Sequence, residues 1–273
     1  MLKDIFDLSG RVAVITGGAG LLGVKHAETI AELGGIPVLV DIAGAAAIAR
    51  AAEISGQFGR PALGIGCDIT FDKEVAGLRD RLMDQFGRID ILINNAANNP
   101  KMEDRSDTSF CRLESFPVDL WNEDIAVGLT GAFLCSRHLG AAMAARGKGA
   151  ILNIASDLAV IAPDQRLYRE PGRAENEQPV KPVSYSVVKA GLVGLTRYLA
   201  TYWPDRVRAN ALAPGGVYAG QPHAFLDRIS ALIPMGRMAQ RDEYKGAIAF
   251  MVSDASSYMN GAILSIDGGR TCW

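Results

Sequence analysis

Three features of this 273-residue sequence predict a doubly wound α/β fold built on a mostly parallel sheet. Short β-branched runs alternate with longer helical patterns, those runs lack polar alternation, and a glycine-rich turn joins the first run to the first helix. Strand–helix alternation implies right-handed crossovers. Runs that are apolar throughout fit strands covered by helices on both faces. With 49% hydrophobic residues the chain can bury one large core, and single α/β domains often reach this length. No linker-like composition divides it, so one domain over residues 1–273 is expected.

In chain order, strands are expected over residues 11–16 (RVAVIT), Ile36–Asp41 (IPVLVD), 62–67, 89–94 (IDILIN), 150–155, 207–213 and 262–266, seven in all. Helices are expected over 21–33, 45–58, Asp72–Phe86, roughly 117–146, Val183–Tyr202 and 241–252, where apolar residues recur at helical spacing. Two segments, 98–117 and 157–184, are long, polar and punctuated by proline. Loops of that length in a compact domain are functional or disordered. Both follow strand ends on the carboxyl side, where open α/β sheets bind ligands.

The formal charge of −2, from 28 basic and 30 acidic residues without a basic block, excludes nucleic acid or an anionic membrane as the main partner. No uncharged apolar run reaches the roughly 18 residues of a membrane span, and the first residues lack signal-peptide character. Cys67, Cys111, Cys135 and Cys272 have no metal-ligand spacing and read as thiols in a reducing compartment. A cytoplasmic protein is expected.

The turn after the first strand reads Thr16-Gly17-Gly18-Ala19-Gly20-Leu21-Leu22-Gly23, with Gly18, Gly20 and Gly23 satisfying GxGxxG. Glycines there permit a tight turn, close backbone approach to a pyrophosphate and close helix–strand packing. The helix N-terminus then favours the negative charge. Gly17 and Leu22 belong to the same expected cradle. Asp41 ends the second strand, where a carboxylate accepts hydrogen bonds from ribose hydroxyls and repels a 2′-phosphate, so NAD(H) is expected over NADP(H). The bland alternative is a cap for the next helix.

Downstream, Tyr185 and Lys189 stand four apart on one helical face. A phenol near its ordinary pKa of about 10 is a poor base at neutral pH, and a nearby ammonium is expected to lower it. Lys189 is also placed to grip the nicotinamide ribose. Ser156, just past the strand ILNIA, is expected to hold the substrate oxygen.

With these pieces in hand, the chain resembles the short-chain dehydrogenase/reductase family over nearly its whole length. The resemblance rests on TGGAGLLG, Asp41, the segment Cys67-Asp68-Ile69-Thr70, Asn94-Asn95-Ala96-Ala97, NIAS ending at Ser156, YSVVK, Ala213-Pro214-Gly215-Gly216-Val217 and Asp267-Gly268-Gly269. It implies a Rossmann-type fold and catalysis by Ser156, Tyr185 and Lys189. It also implies that Asp68 and Ile69 contact adenine, that Asn95 lies along the adenosine side, and that Val217 bonds the nicotinamide carboxamide. A homodimer or homotetramer built from the two long helices and the last strand is implied as well.

Departures from the family pattern are Leu21 at a usual glycine, Ala97 in place of the glycine of NNAG, and Ala219 where a threonine often stands. Gly128 matters most. It occupies the position of an asparagine that holds a water against the lysine, so the proton relay must run differently or activity falls. Backbone groups at Gly128, or Asn98 or Asn99, are the candidate replacements.

Ser156 and Tyr185 are 29 positions apart, more than the family usually shows. The extra residues include Gln165, Arg166, Tyr168, Arg169 and Arg173, a mixture suited to a polar, phosphorylated or carboxylated ligand, or else a solvated loop or subunit contact. Of these, Arg166, Tyr168 and Arg169 are the expected substrate contacts. The segments APDQRLY and KPVSYSVVKAGLVGLTRYLATYW also resemble a subgroup that accompanies sialic-acid-like or other surface-sugar biosynthesis. The expected function is therefore NAD(H)-dependent interconversion of a secondary alcohol and a ketone on a sugar-like or phosphorylated substrate. Alternatives are an NAD-dependent sugar epimerase or dehydratase, and a cofactor-binding scaffold that has lost its chemistry.

Overall fold

The computed structural model describes residues 1–98 and 111–273. Seven parallel strands form one sheet: β1 (Val12–Thr16), β2 (Ile36–Asp41), β3 (Leu63–Gly66), β4 (Ile91–Asn94), β5 (Gly149–Ile154), β6 (Val207–Pro214) and β7 (Ile263–Ile266). Their order is β3-β2-β1-β4-β5-β6-β7. Each strand expected from the sequence is present within two residues at either end.

Side-chain alternation along the strands divides the core in two. Val12, Val14, Val38, Val40, Leu92 and Ile151 face one side. There they meet Leu78 and Leu82 of α4 (Asp72–Phe86), Leu139 and Met143 of α6 (Gly131–Arg146), and Leu199 of α7 (Val183–Tyr202). Ala13, Ile15, Leu39, Ile93 and Leu152 face the other. Their partners are Ile30 of α2 (Gly23–Glu32), Ala47 and Ile54 of α3 (Gly44–Phe58), and Ile248 and Met251 of α9 (Lys245–Val252). Covering both faces removes water from every residue of β1, at about 1.5–3 kcal/mol for each large aliphatic side chain. This is why the strands read as unbroken apolar runs.

Three helices were not legible in this pattern or differ from it. Short α1 (Leu2–Phe6) buries no residue, and α8 (His223–Ser230) buries only Ile229, so neither carries a full apolar stripe. The helix expected over 117–146 is α5 (Val118–Ile125), a π-helical turn (Ala126–Thr130) and α6 in continuous succession. This run is long and apolar enough to cross a membrane by composition alone, yet α6 buries Leu134, Cys135, Leu139 and Met143 within the protein. Among the described residues no disulfide forms, and Cys67, Cys111 and Cys135 are buried.

Strand order reverses between β1 and β4, opening a crevice at their carboxyl ends. A buried polar chain holds the elements around it. Asn94 Nδ2 donates to Asn153 Oδ1 at 2.8 Å and to Ser136 Oγ at 3.2 Å, and Asn153 Nδ2 donates to Thr196 Oγ1 at 2.8 Å. The chain ties the ends of β4 and β5 to α6 and α7, the two helices that flank the catalytic residues.

Candidate active site

The glycine turn meets the steric requirements of a pyrophosphate cradle. A Cβ on Gly18 would stand 2.7 Å from Leu39 Cα, and one on Gly23 would overlap the Gly17 carbonyl and lie 2.9 Å from Gly18 Cα. Only glycine lets β1, the turn and α2 approach this closely. Asn95 stitches the turn to β4, its Nδ2 donating to the carbonyls of Thr16 at 3.0 Å and Gly17 at 3.2 Å. Leu21, at a usual glycine, stands half-exposed on the rim.

Asp41 is held by backbone amides: Ala43 N donates to Oδ1 at 3.0 Å and Ala19 N to Oδ2 at 3.1 Å. The carboxylate thus faces the crevice as a fixed acceptor. Asp68 is braced by the Thr70 amide and hydroxyl at 2.9 and 2.7 Å, and Ile69 is buried beside it. Gly17, Gly20, Leu22, Asp41, Asp68, Ile69, Asn95 and Val217 all line one cleft of about 1060 Å³. The same cleft contains Ser156, Tyr185 and Lys189. Hence the residues present fit a dinucleotide laid from Asp41 toward Tyr185.

At the catalytic end, Lys189 Nζ donates to the Ile154 carbonyl at 2.7 Å and lies 5.8 Å from the centre of the Tyr185 ring. Burial, with the neighbouring charge of Lys181 adding to it, lowers the Lys189 pKa to about 8. Burial pushes the Tyr185 phenol above its usual range, its hydrogen bond with Ser156 pulls it down, and Asp157 adds to the rise. The expectation that Lys189 acidifies this phenol is therefore corrected: the phenol is shifted upward. Burial of the phenol outweighs the lowering by its hydrogen bond with Ser156.

Gly128 lies buried in the π-helical turn, and a Cβ there would overlap Val188 Cγ1. Val188 thus occupies the space into which a side chain at 128 would grow. Asn98 lines the cleft; Asn99 lies outside the described residues. One turn earlier on α5, the buried Asp124 accepts from Ser184 Oγ through Oδ2, and its Oδ1 has no partner among the described residues.

The segment between β5 and α7 folds back over the cleft. Tyr168 lines it and packs on Phe225 of α8 with ring centres 5.8 Å apart. Leu167, Ile229, Ile233 and Met238 form a small third core beneath. Arg228 of α8 clamps the segment, donating to the Arg169 carbonyl at 2.6 Å. Arg166 and Arg169 do not reach the ligand space: Arg166 pairs with Asp164 at 2.7 Å and Arg169 with Glu175 at 2.5 Å, both at the surface. Neither arginine is among the residues that line this cleft; Arg169 lines a separate surface hollow with Arg173 and Arg228.

Three charged residues at this end carried no motif. Lys181 Nζ sits 3.8 Å over the Tyr185 ring centre, with its pKa lowered to about 8 by burial. Asp157 Oδ1 accepts from Ser156 Oγ at 2.8 Å, and its Oδ2 accepts from Arg270 Nη1 at 2.7 Å. Asp157 and Lys181 neighbour recognisable motifs in the chain. The partner of Asp157, 113 positions away, directly follows Asp267-Gly268-Gly269, but that pattern gives no hint of the pairing.

Comparison with known proteins agrees with this geometry. Residues 11–168 match the family model described as short chain dehydrogenase, and residues 173–271 match that described as Enoyl-(Acyl carrier protein) reductase. The cis-4-hydroxycyclohexanecarboxylate dehydrogenase of Sinomonas cyclohexanicum is 38% identical, over 96% of each chain. The D-threitol dehydrogenase of Mycolicibacterium smegmatis is 34% identical, over 97% of this chain and 95% of its own. The NAD-dependent glycerol dehydrogenase of Listeria innocua is 32% identical, over 98% and 96%. Among solved structures, a gluconate 5-dehydrogenase from Burkholderia cenocepacia in complex with NADP and tartrate superposes with a TM-score of 0.86 at 30% identity, covering all of both chains. NAD+-bound xylitol dehydrogenase does so with 0.83 at 26%, over 96% of this chain and 99% of that one.

The chain belongs to the short-chain dehydrogenase family and is an oxidoreductase that uses a nicotinamide cofactor. Its relatives and structural neighbours include users of both NAD and NADP.

Proposed function

We propose that this short-chain dehydrogenase interconverts a secondary alcohol and a ketone on a small polyhydroxylated, sugar-like substrate, with NAD(H) preferred. One observation carries the reading: the Ser156–Tyr185 pair and the Asp41 cradle line a single cleft. Its similarity to a D-threitol dehydrogenase and a glycerol dehydrogenase supports the substrate class. A place beside surface-sugar biosynthesis is the narrower form of the same proposal. The cofactor preference rests on Asp41, whose backbone-held carboxylate would repel a 2′-phosphate.

The bound nicotinamide supplies hydride transfer. Gly17, Gly18 and Gly23 admit the pyrophosphate, Asp41 orients the adenosine ribose, and Lys189 orients the nicotinamide ribose. Ser156 and Tyr185 hold the reacting oxygen of the substrate, and Tyr185 moves its proton. Burial favours the neutral phenol, which suits proton donation to a ketone.

A screen of polyols, sugar acids, sugar phosphates and nucleotide sugars, followed by NADH absorbance, tests this. Tyr185→Phe should lower turnover by about 10²–10⁴-fold while NADH binding persists. NADH binding without turnover of any compound would favour the cofactor-binding scaffold, the reading motivated by Gly128.

A homo-oligomer belongs to the same proposal. Tyr198 and Tyr202 of α7 stack in solvent with ring centres 5.6 Å apart, and Phe133 and Val187 are also exposed. These are apolar faces of the two long helices.

A further inference from the structure

The C-terminal tail delivers a buried arginine to the substrate end of the cleft. Asp267 pins the turn, accepting from Gly269 N and Thr271 N at 2.9 Å each. Trp273 Nε1 donates to the Leu232 carbonyl at 3.3 Å, holding the chain end against the segment after α8. Between these anchors Arg270 turns inward. It is 7% exposed, Asp157 is 3% exposed, and both line the cleft.

One edge of the guanidinium is satisfied. Arg270 Nη1 donates to Asp157 Oδ2 at 2.7 Å, and Asp157 Oδ1 takes the Ser156 hydroxyl and the Leu158 amide, each at 2.8 Å. Among the described residues Arg270 Nε and Nη2 have no hydrogen-bond partner. Those two N–H groups share the edge that matches a pair of oxygens on a carboxylate or phosphate. Neither atom is fully enclosed, so this edge of the guanidinium is open to the cleft and free to meet a ligand.

The surroundings favour an anion there. Lys181, Lys189 and Arg270 line the cleft with Asp157, while Asp124 is buried outside its lining. Tyr168 adds a hydroxyl that makes no hydrogen bond with any described residue. Arg270 and Tyr185 both lie close enough to influence that phenol, which burial raises well above its usual range. Guanidinium, Tyr168 hydroxyl and reacting pair therefore share one small space.

We propose that Arg270, held by Asp157, is the specificity-determining residue that binds a carboxylate or phosphate on the substrate. The proposal rests on the dehydrogenase reading of the cleft and adds an anionic group to its substrate class. It moves the anion-binding role from the loop arginines to the tail.

The test compares gluconate, glucitol 6-phosphate and neutral glucitol, titrated into the NADH complex and followed by nicotinamide fluorescence. Wild type should bind at least one anion about ten- to a hundredfold tighter than glucitol, the range of a charge-assisted hydrogen bond. Arg270→Met should bring that ratio to near one with NADH affinity retained. The identity of the favoured anion separates carboxylate from phosphate. Because Arg270→Met leaves Asp157 buried without its partner, Asp157→Asn/Arg270→Met is measured alongside, and the same loss of preference is expected. Equal binding of the three compounds by wild type, no binding of any, or a preference surviving in both variants overturns the proposal. Failure of wild type to bind NADH would instead overturn the dehydrogenase reading beneath it.

Discussion

Gly128 and Val188 should behave as one coupled unit, and a double-mutant cycle measures it. A Cβ on Gly128 would fall more than an ångström inside the roughly 3.5–4.0 Å optimum for a carbon pair with Val188 Cγ1. Val188 Cβ and Cγ2 stand at 3.5 Å, an ordinary contact, so the overlap resides in one methyl group. Valine in a helix has essentially one χ1 rotamer, and it cannot swing that methyl away without strain. Overpacking of this kind costs about 1–3 kcal/mol, against about 1 kcal/mol gained when alanine replaces glycine in a helix.

Gly128→Ala should therefore be neutral to destabilising by about 2 kcal/mol in the native background. In the Val188→Ala background the same change should stabilise by about 1 kcal/mol, for a coupling of about 1–3 kcal/mol. Urea denaturation of the four proteins reads the cycle. Because Val188 adjoins Lys189, turnover should fall in the single Gly128→Ala variant and recover in the double. A coupling below about 0.5 kcal/mol, within ordinary additivity, would refute the steric argument. Gly128 would then be a bare gap in the helix rather than one half of a fitted pair.

Two further outcomes follow from the cofactor half. Replacing the carboxylate and adding a cation at the exposed neighbour, Asp41→Ala/Ile42→Arg, should shift the NAD-to-NADP ratio of kcat/KM toward NADP by about tenfold or more. An unchanged ratio removes Asp41 from the ribose site. The buried imidazole of His26 has its pKa lowered by burial to about 4, its Nε2 has no partner among the described residues, and it stays neutral in the native state. The unfolded chain binds a proton near 6.5, so this stability is fully present above 6.5 and is lost as pH falls toward 4. The loss amounts to about 3 kcal/mol in order of magnitude. Denaturant titrations from pH 7 to 4 should show that slope flattened in His26→Gln; equal slopes would refute it.

How much was legible in the sequence depends on the range of the interaction involved. The strands, the helices that cover them, the glycine cradle and the Tyr185–Lys189 spacing are local patterns, each carried by a few consecutive turns or residues. Burial on two faces, backbone approach and helical periodicity impose those patterns directly, so β1, α2 and α7 could be read before any contact was known. Helix α8 escaped because its burial comes from Tyr168, Phe225 and their neighbours in a separate small core, and not from the main sheet.

The charges at the catalytic end were decided only by the folded chain. Arg166 and Arg169 looked available as free cations, yet Asp164 and Glu175 in the same loop neutralise them. Arg270 directly follows Asp267-Gly268-Gly269, yet only the fold packs it against Asp157. Even the direction of the Tyr185 shift was set by burial, which spacing does not encode. Sequence by itself determined the glycine cradle, Ser156 and the Tyr185–Lys189 pair. Desolvation and pairing over distances such as the 113 positions between Asp157 and Arg270 decided which side chains near the reacting bond are charged, satisfied and open to a ligand.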